Sequence, residues 1–286
     1  MLRRLILASL LLSLAVAAFA QRRGWGWRRS NTDGATTARE LESHSTGTPI
    51  WENPPAFDKD VFTFARIRYD SRGYGRDVDR WDTDLPDSDL NFSFRLQQMT
   101  SMKVDPNGRI LRLTDPELAD YPFIYMVEAG DLIFSDEEVA ALRAYLLNGG
   151  FLLFDDFWGD SAWDNVESEM ARVFPERKFF EIPLDHELYQ RPFLIKSKGQ
   201  VPALNYGVDS EYTGITWERG HGGDTRTVHH RAIADDQGRL MVIATHNTDN
   251  GDGWEREGES DYYFHNFSEK IAYPLGINII FYIMTH

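Results

Sequence analysis

Three stretches of this 286-residue chain hold enough side-chain oxygen and nitrogen to do chemistry. The first is Asp155-Asp156-Phe157-Trp158-Gly159-Asp160, directly after the apolar run Phe151–Phe154. Adjacent strand residues point to opposite faces, so Asp155 and Asp156 share a site only if the chain turns between them. Two readings stay open: one of the pair serves a site, or one caps the next helix and the other bonds loop amides. The second stretch puts His246, Asn247, Asp249, Asp252, Trp254 and Glu255 just beyond the apolar run Leu240–Ala244. Aromatic rings beside carboxylates are the residue types that stack on and hydrogen-bond to sugars. Read as an EF-hand from Asp249, the stretch fails, because the third position is Gly251 and the twelfth is Ser260. The third stretch is the acid-rich Asp77 to Asp89. Oxygen-rich loops suit Ca²⁺, but this spacing matches no calcium loop and Arg76 and Arg80 offset its charge. A solvated loop with helix-capping aspartates is expected there. His221, His229, His230, His246 and His265 gather late in the chain without the i, i+4 spacing of a zincin, so no metal set is assigned. Nor is any cofactor.

Local pattern says which elements must carry these residues. Val61–Arg68 is β-rich, and Ile110–Leu113 and Pro122–Val127 read as short strands. Asp87 is placed as the cap of a helix over Ser88–Met99, with Phe92, Leu96 and Met99 on one face. Ser135-Asp136-Glu137-Glu138 is a capping box flanked by Phe134 and Val139, and Asn148-Gly149 closes the helix that follows. The fully apolar Phe151–Phe154 after it suits a strand buried on both faces of a parallel sheet. Strand, helix and buried strand make a βαβ unit, and repetition of that unit gives an α/β fold with helices on both faces. Ligands of such sheets bind beyond the carboxyl ends of the strands, where the first two stretches are expected to fall. The tail from Tyr273 is helical in pattern, with Ile277, Ile280, Phe281 and Met284 on one stripe and Pro274 near its start.

Several function classes are excluded by inventory. With no cysteine there is no thiol nucleophile, zinc–thiolate site or iron–sulfur cluster. A formal charge of −15 argues against a nucleic-acid partner, which needs a clustered basic face. GxSxG, P-loop and dinucleotide-binding GxGxxG motifs are all absent. Arg3 and Arg4, the apolar Leu5–Ala17 and the small-x-small Ala18-Phe19-Ala20 make residues 1–20 a secretory signal, too short to span a bilayer. The mature chain is therefore expected to be exported, periplasmic or secreted, without a transmembrane helix. Residues 21–56 read as a linker, basic with Trp25 and Trp27 at its start and then rich in Ser, Thr and Gly. Residues 57–286 are left as a single domain.

Within that domain, Tyr125-Met126-Val127-Glu128-Ala129-Gly130, Leu147-Asn148-Gly149-Gly150-Phe151 and Asp155-Asp156-Phe157-Trp158-Gly159 look like core motifs of the bacterial domain-of-unknown-function family 4159. So do Val173-Phe174-Pro175, Pro183-Leu184-Asp185-His186, Gln200-Val201-Pro202, Asp235-Asp236-Gln237-Gly238-Arg239, the His246–Glu255 run and Leu275-Gly276-Ile277-Asn278. The resemblance implies a flavodoxin-like fold similar to class I glutamine amidotransferases, with a mostly parallel sheet. It implies no activity. Active amidotransferases use a Cys on a sharp strand-to-helix turn, and the comparable turn here offers Asp155 and Asp156. Two readings follow. The favoured one is a non-catalytic envelope module that binds a glycan, peptide or partner protein at the carboxyl edge. The alternative is a hydrolase, in which Asp155 or Asp156 works with His186, His246 or Glu128 on a substrate such as a glycoside. The second reading requires the Asp155-Asp156 turn and the His246–Glu255 loop to lie at the same end of the sheet. The oligomeric state is left open.

Overall fold

The computed structural model describes residues 32, 34–57, 60–72 and 80–286. Residues 1–20, read above as a secretory signal, the basic Trp-containing stretch and Asp77–Asp79 lie outside the described residues. From Gly34 onward the chain forms one α/β unit. Its sheet is built from β1 (Ala65–Ile67), β3 (Arg109–Leu111), β4 (Phe123–Val127), β6 (Phe151–Phe157), β7 (Phe180–Glu181), β8 (His229–Ala234) and β9 (Leu240–His246). The strand order is β3-β1-β4-β6-β9-β8-β7. The first five are mutually parallel, whereas β8 and β7 join antiparallel at one side. A separate antiparallel pair, β2 (Asp70–Ser71) and β5 (Leu132–Ile133), stands outside this sheet.

Alternation along β4 and β6 divides the core in two. Ile124, Met126, Leu152 and Phe154 face one side, where α2 (Asp136–Leu147) and α3 (Asp160–Val173) bring Leu142, Leu146, Val166 and Met170 against them. Phe123, Tyr125, Val127, Phe151 and Leu153 face the other, covered by Phe92 and Leu96 of α1 (Asp87–Met99) and Ile277 and Ile280 of α6 (Tyr273–Ile283). Both faces are dry, which is why these strands are apolar at nearly every position. Each such Leu, Ile or Phe stabilises the fold by about 1.5–3 kcal/mol. The capping box forms as its sequence predicts: Ser135 Oγ accepts from the Glu138 amide at 3.2 Å, and Glu138 Oε2 accepts from the Ser135 amide at 2.9 Å. No helix among the described residues is long and apolar enough to cross a membrane.

Several expectations are altered by packing. The first strand is shorter than Val61–Arg68 suggests, since pairing with β3 and β4 covers only Ala65–Ile67 and Phe62 makes an isolated bridge to Val104. Asp87 does not cap its own helix; its carboxylate accepts from Ser43 Oγ at 2.5 Å and the His44 amide at 2.6 Å. Those bonds belong to a segment whose composition suggested a mobile linker. From Gly34 to Trp51 it lies against the domain, with Ala38 buried, the Ile110 amide donating to Thr36 O at 2.8 Å, and Arg39 Nη1 donating to Thr48 O at 2.9 Å. Backbone hydrogen bonds hold it in place of an apolar stripe, so hydrophobic pattern did not reveal it. Met99, Phe281 and Met284 are exposed, whereas α6 buries Leu275, Ile279 and Tyr282 alongside Ile277 and Ile280.

Candidate functional site

The residues of interest converge at the carboxyl ends of β1, β4, β6 and β9. Four non-glycine residues adopt left-handed backbone there: Asp84 (φ 62°) after β1, Glu128 (φ 48°) after β4, Asp156 (φ 51°) in β6 and Asn247 (φ 61°) after β9. Such residues cost about 1–3 kcal/mol each and persist where surrounding structure holds them, commonly at working sites. At Asp156 the strand bends, and its register with β9 slips between Phe154 and Phe157. That bend answers the geometric objection to the Asp155-Asp156 pair.

The two aspartates have different tasks. Asp155 is wholly buried and its carboxylate accepts four donors: Tyr125 Oη at 3.0 Å, Thr245 Oγ1 at 2.5 Å, Asn250 Nδ2 at 2.8 Å and the Gly251 amide at 2.9 Å. Burial raises its pKa, while the donors favour its charged form and hold it down. Asp155 therefore pins the start of α5 (Asn250–Glu255) to β6. Asp156 is half-buried, and Oδ1 accepts from Trp158 Nε1 at 2.9 Å. Its pKa lies well above the usual carboxylate range, through burial first and then the negative field of Glu128, Asp84 and Glu218.

Around Asp156 the structure assembles carboxylates from three separate segments. Oxygen atoms of Asp84, Asp156 and Asp249 all lie within 4.8 Å of one another, as do those of Asp84, Asp252 and Glu255. Asp84 is the member common to both groups. It comes from the stretch expected to be a solvated loop, yet only 5% of its surface is exposed. Trp81 and Leu85 are buried beside it, and the fully buried Arg66 of β1 donates to Trp81 O at 2.9 Å and Thr83 O at 2.7 Å. Alternating apolar and acidic residues in this stretch were the overlooked signal of an inward-facing loop. Asp249 caps α5, its Oδ1 accepting from the Asp252 amide at 2.7 Å. Asp252 Oδ2 accepts from the amide of Leu204, the first residue of α4 (Leu204–Thr213), at 2.6 Å. Arg256 Nε lies 3.3 Å from Asp252 Oδ1 and 2.7 Å from Glu255 Oε2, supplying positive charge to the second group. Burial raises Asp84, Asp249 and Glu255 well above the ordinary range, followed by Asp252 acting on Asp84, Asp156 on Asp249 and Asp84 on Glu255. Gly251 fits between these groups for want of a side chain: a Cβ there would lie 2.3 Å from Asp84 Oδ2.

Other residues singled out from sequence fall elsewhere. Glu128 borders the site, its carboxylate paired with Arg80 and accepting from Thr83 Oγ1 at 3.1 Å. Asn247 clips loops together, donating to Asp224 O and Thr227 O and accepting from the Gly159 amide. His246 packs between Arg231 Nη1 at 3.1 Å and Gly159 O at 3.0 Å, its ring stacked on Phe157. Burial lowers its pKa to about 4, so the ring is neutral, donating from Nε2 and accepting at Nδ1. His186 accepts from the Leu188 amide and packs on Tyr282. Tyr282 Oη in turn holds the amide of Leu240, which begins β9, so His186 belongs to the opposite edge of the sheet. Trp254 is 1% exposed among Phe64, Phe92 and Tyr125, and Trp158 is 4% exposed. Neither presents a stacking face for a sugar.

The fold and site define an α/β protein with a mostly parallel sheet and a buried carboxylate cluster at its carboxyl edge. The cluster can hold protons at neutral pH or bind a compensating positive charge. The chain belongs to the family described as Domain of unknown function (DUF4159), whose model matches residues 63–284. No curated protein matches it.

Proposed function

We propose that this protein is an exported hydrolase whose working groups are the carboxylates at the carboxyl edge, with Asp156 the group that meets substrate. The observation that carries the reading is the convergence of Asp84, Asp156 and Asp249 within 4.8 Å from three segments far apart in sequence. Buried like charges force apart the protonation of neighbouring carboxyls, placing an acid beside a carboxylate, and that pairing is the usual apparatus of hydrolytic acid–base chemistry. Asp156 is the half-buried member and so the one a substrate can reach. The Asp156 bend and the Asp249 loop share one end of the sheet, as the hydrolase reading requires. Interior placement of Trp158 and Trp254 removes the main reason to favour a glycan, so substrate class is left to a screen.

The parallel strands, numbered along the chain, run 2-1-3-4-5, the order of flavodoxin-like sheets, with the reversal between β1 and β4 beside the site. That order supports a relation to the class I glutamine amidotransferase superfamily, although a chain without cysteine needs different chemistry. Export rests on the signal-like residues 1–20. The test is hydrolysis of peptidoglycan fragments, oligosaccharides, peptides and carboxylic esters by the purified mature chain and by Asp156→Asn. Turnover lost in the variant with unchanged melting temperature supports the reading; equal rates for both proteins defeat it. A binding module without turnover is the second reading, favoured by the commitment of His246 and His186 to packing contacts.

A further inference from the structure

We propose that Asp84, Asp156 and Asp249 together hold one hard divalent cation, of which Ca²⁺ is the type. The inference rests on the carboxyl edge being the working site, and it names what that site binds before any substrate arrives.

Three observations carry it. First, the geometry suits an ion: a cation ~2.4 Å from each oxygen allows its ligands to sit up to ~4.8 Å apart, and these three oxygens lie within 4.8 Å of one another. Second, Asp84 Oδ2 is buried with no hydrogen-bond partner among the described residues. Its neighbour Asp155 shows how this fold treats a carboxylate meant only for structure, surrounding it with four donors. Asp84 Oδ2 instead lies in the gap left by the missing side chain of Gly251, beside Asp249. An orphaned carboxylate oxygen in the interior is costly unless a positive charge meets it. Third, the nearby arginines face other acids. Arg256 pairs with Asp252 and Glu255, Arg80 with Glu128, and Arg66 with Asp89. The second carboxylate group thus carries its own guanidinium, whereas the first has no ion-pair partner among the described residues.

Ligand chemistry sets the class of ion. The donors are all carboxylate oxygens, and the buried His246 points to Arg231 and Gly159 instead. Such a set selects Ca²⁺, Mg²⁺ or Mn²⁺ over Zn²⁺ or Cu²⁺. Asp156 and Asp249 each accept a hydrogen bond at Oδ1, from Trp158 and the Asp252 amide, which holds the carboxylates in place and leaves lone pairs for a metal.

The experiment is calorimetric titration of the mature chain, freed of metal with EDTA, with CaCl₂, MgCl₂, MnCl₂ and ZnCl₂, alongside melting temperature. The inference expects saturable binding of one hard cation per chain and a melting temperature that climbs with its concentration. Asp84→Asn and Asp249→Asn should each weaken binding at least about tenfold, and the exposed Asp236→Asn should not. Asn accepts left-handed backbone at position 84, and an apo melting temperature at or above wild type shows that the variant has folded. No saturable binding up to about 5 mM overturns the inference, as does binding that survives both substitutions. The two readings of the site fail separately. Hydrolysis that proceeds in EDTA by a chain binding no ion removes the cation and keeps the hydrolase; ion binding without turnover does the reverse.

Discussion

Replacing Asp84 by Asn should stabilise the metal-free protein, and the gain should depend on pH. Asp84 shares both carboxylate groups, with oxygens within 4.8 Å of Asp156 and Asp249 and likewise of Asp252 and Glu255. Two unit charges at that distance repel by about 3–4 kcal/mol at the effective dielectric of a protein site. Arg256 and partial protonation screen part of this, leaving about 1–3 kcal/mol to be relieved by removing one carboxylate. For a domain of this size that is a rise of several degrees in melting temperature, at about 2–4 °C per kcal/mol. Because burial and then Asp252 hold the Asp84 pKa well above its unfolded value, the folded state binds more protons than the unfolded one between the two pKa values. The wild type therefore keeps its full stability below about pH 4 and loses it as pH rises through the folded value, whereas Asp84→Asn does not titrate at this position. Scanning calorimetry in EDTA at pH 4 and pH 8 measures this directly. The variant should match wild type at pH 4 and exceed it at pH 8. A variant less stable than wild type at pH 8, or an equal difference at both pH values, would refute the account of Asp84 as an uncompensated buried charge.

Further expectations follow from the same geometry. Asp155→Ala orphans three buried donors, since Thr245 Oγ1 keeps Phe154 O at 2.9 Å, and at about 1–3 kcal/mol each urea unfolding should show a loss of at least about 3 kcal/mol; a loss below ~1 kcal/mol would remove Asp155 as the anchor of α5. Gly251→Ala drives a Cβ to 2.3 Å from Asp84 Oδ2 and 3.0 Å from Tyr125 Oη, which should cost about 1–3 kcal/mol and lower cation affinity. Unchanged affinity in that variant would mean Asp84 is not a ligand. His246, neutral down to about pH 4, should show ring proton NMR shifts that stay flat between pH 5.5 and 8. An inflection near 6.5 there would contradict its packing against Arg231 and Gly159. Ser135→Ala should lower stability by about 1 kcal/mol through loss of the capping box, and an unaltered urea midpoint would speak against that cap.

Much of the framework could be read along the chain because local physics dictates it. Ser135 and Glu138 sit three apart and satisfy each other's amides, and Phe151–Phe154 is apolar throughout because both of its faces are covered. The Asp155-Asp156 turn and the Asp249–Glu255 loop could also be placed, since polar residues that leave a buried strand together emerge at its carboxyl end. Less legible was the segment from Gly34 to Trp51, which is held by Arg39 and backbone bonds and has no periodic apolar face. Asp84 was the chief omission: acid content argued for solvent, and only Trp81, Leu85 and the buried guanidinium of Arg66 turn that loop inward.

Sequence by itself determined the alternation of strands and helices, the capped helix before β6 and the exclusion of all thiol chemistry, because each depends on neighbours or on residue inventory. Tertiary structure decided which carboxylates meet. Asp84 and Asp249 come from loops after β1 and β9 and Asp156 from the bent end of β6, and strand order, a property of the whole sheet, brings them to one point. Burial then divided the roles: four donors make Asp155 a structural anchor, while an oxygen of Asp84 without one marks where positive charge is wanted.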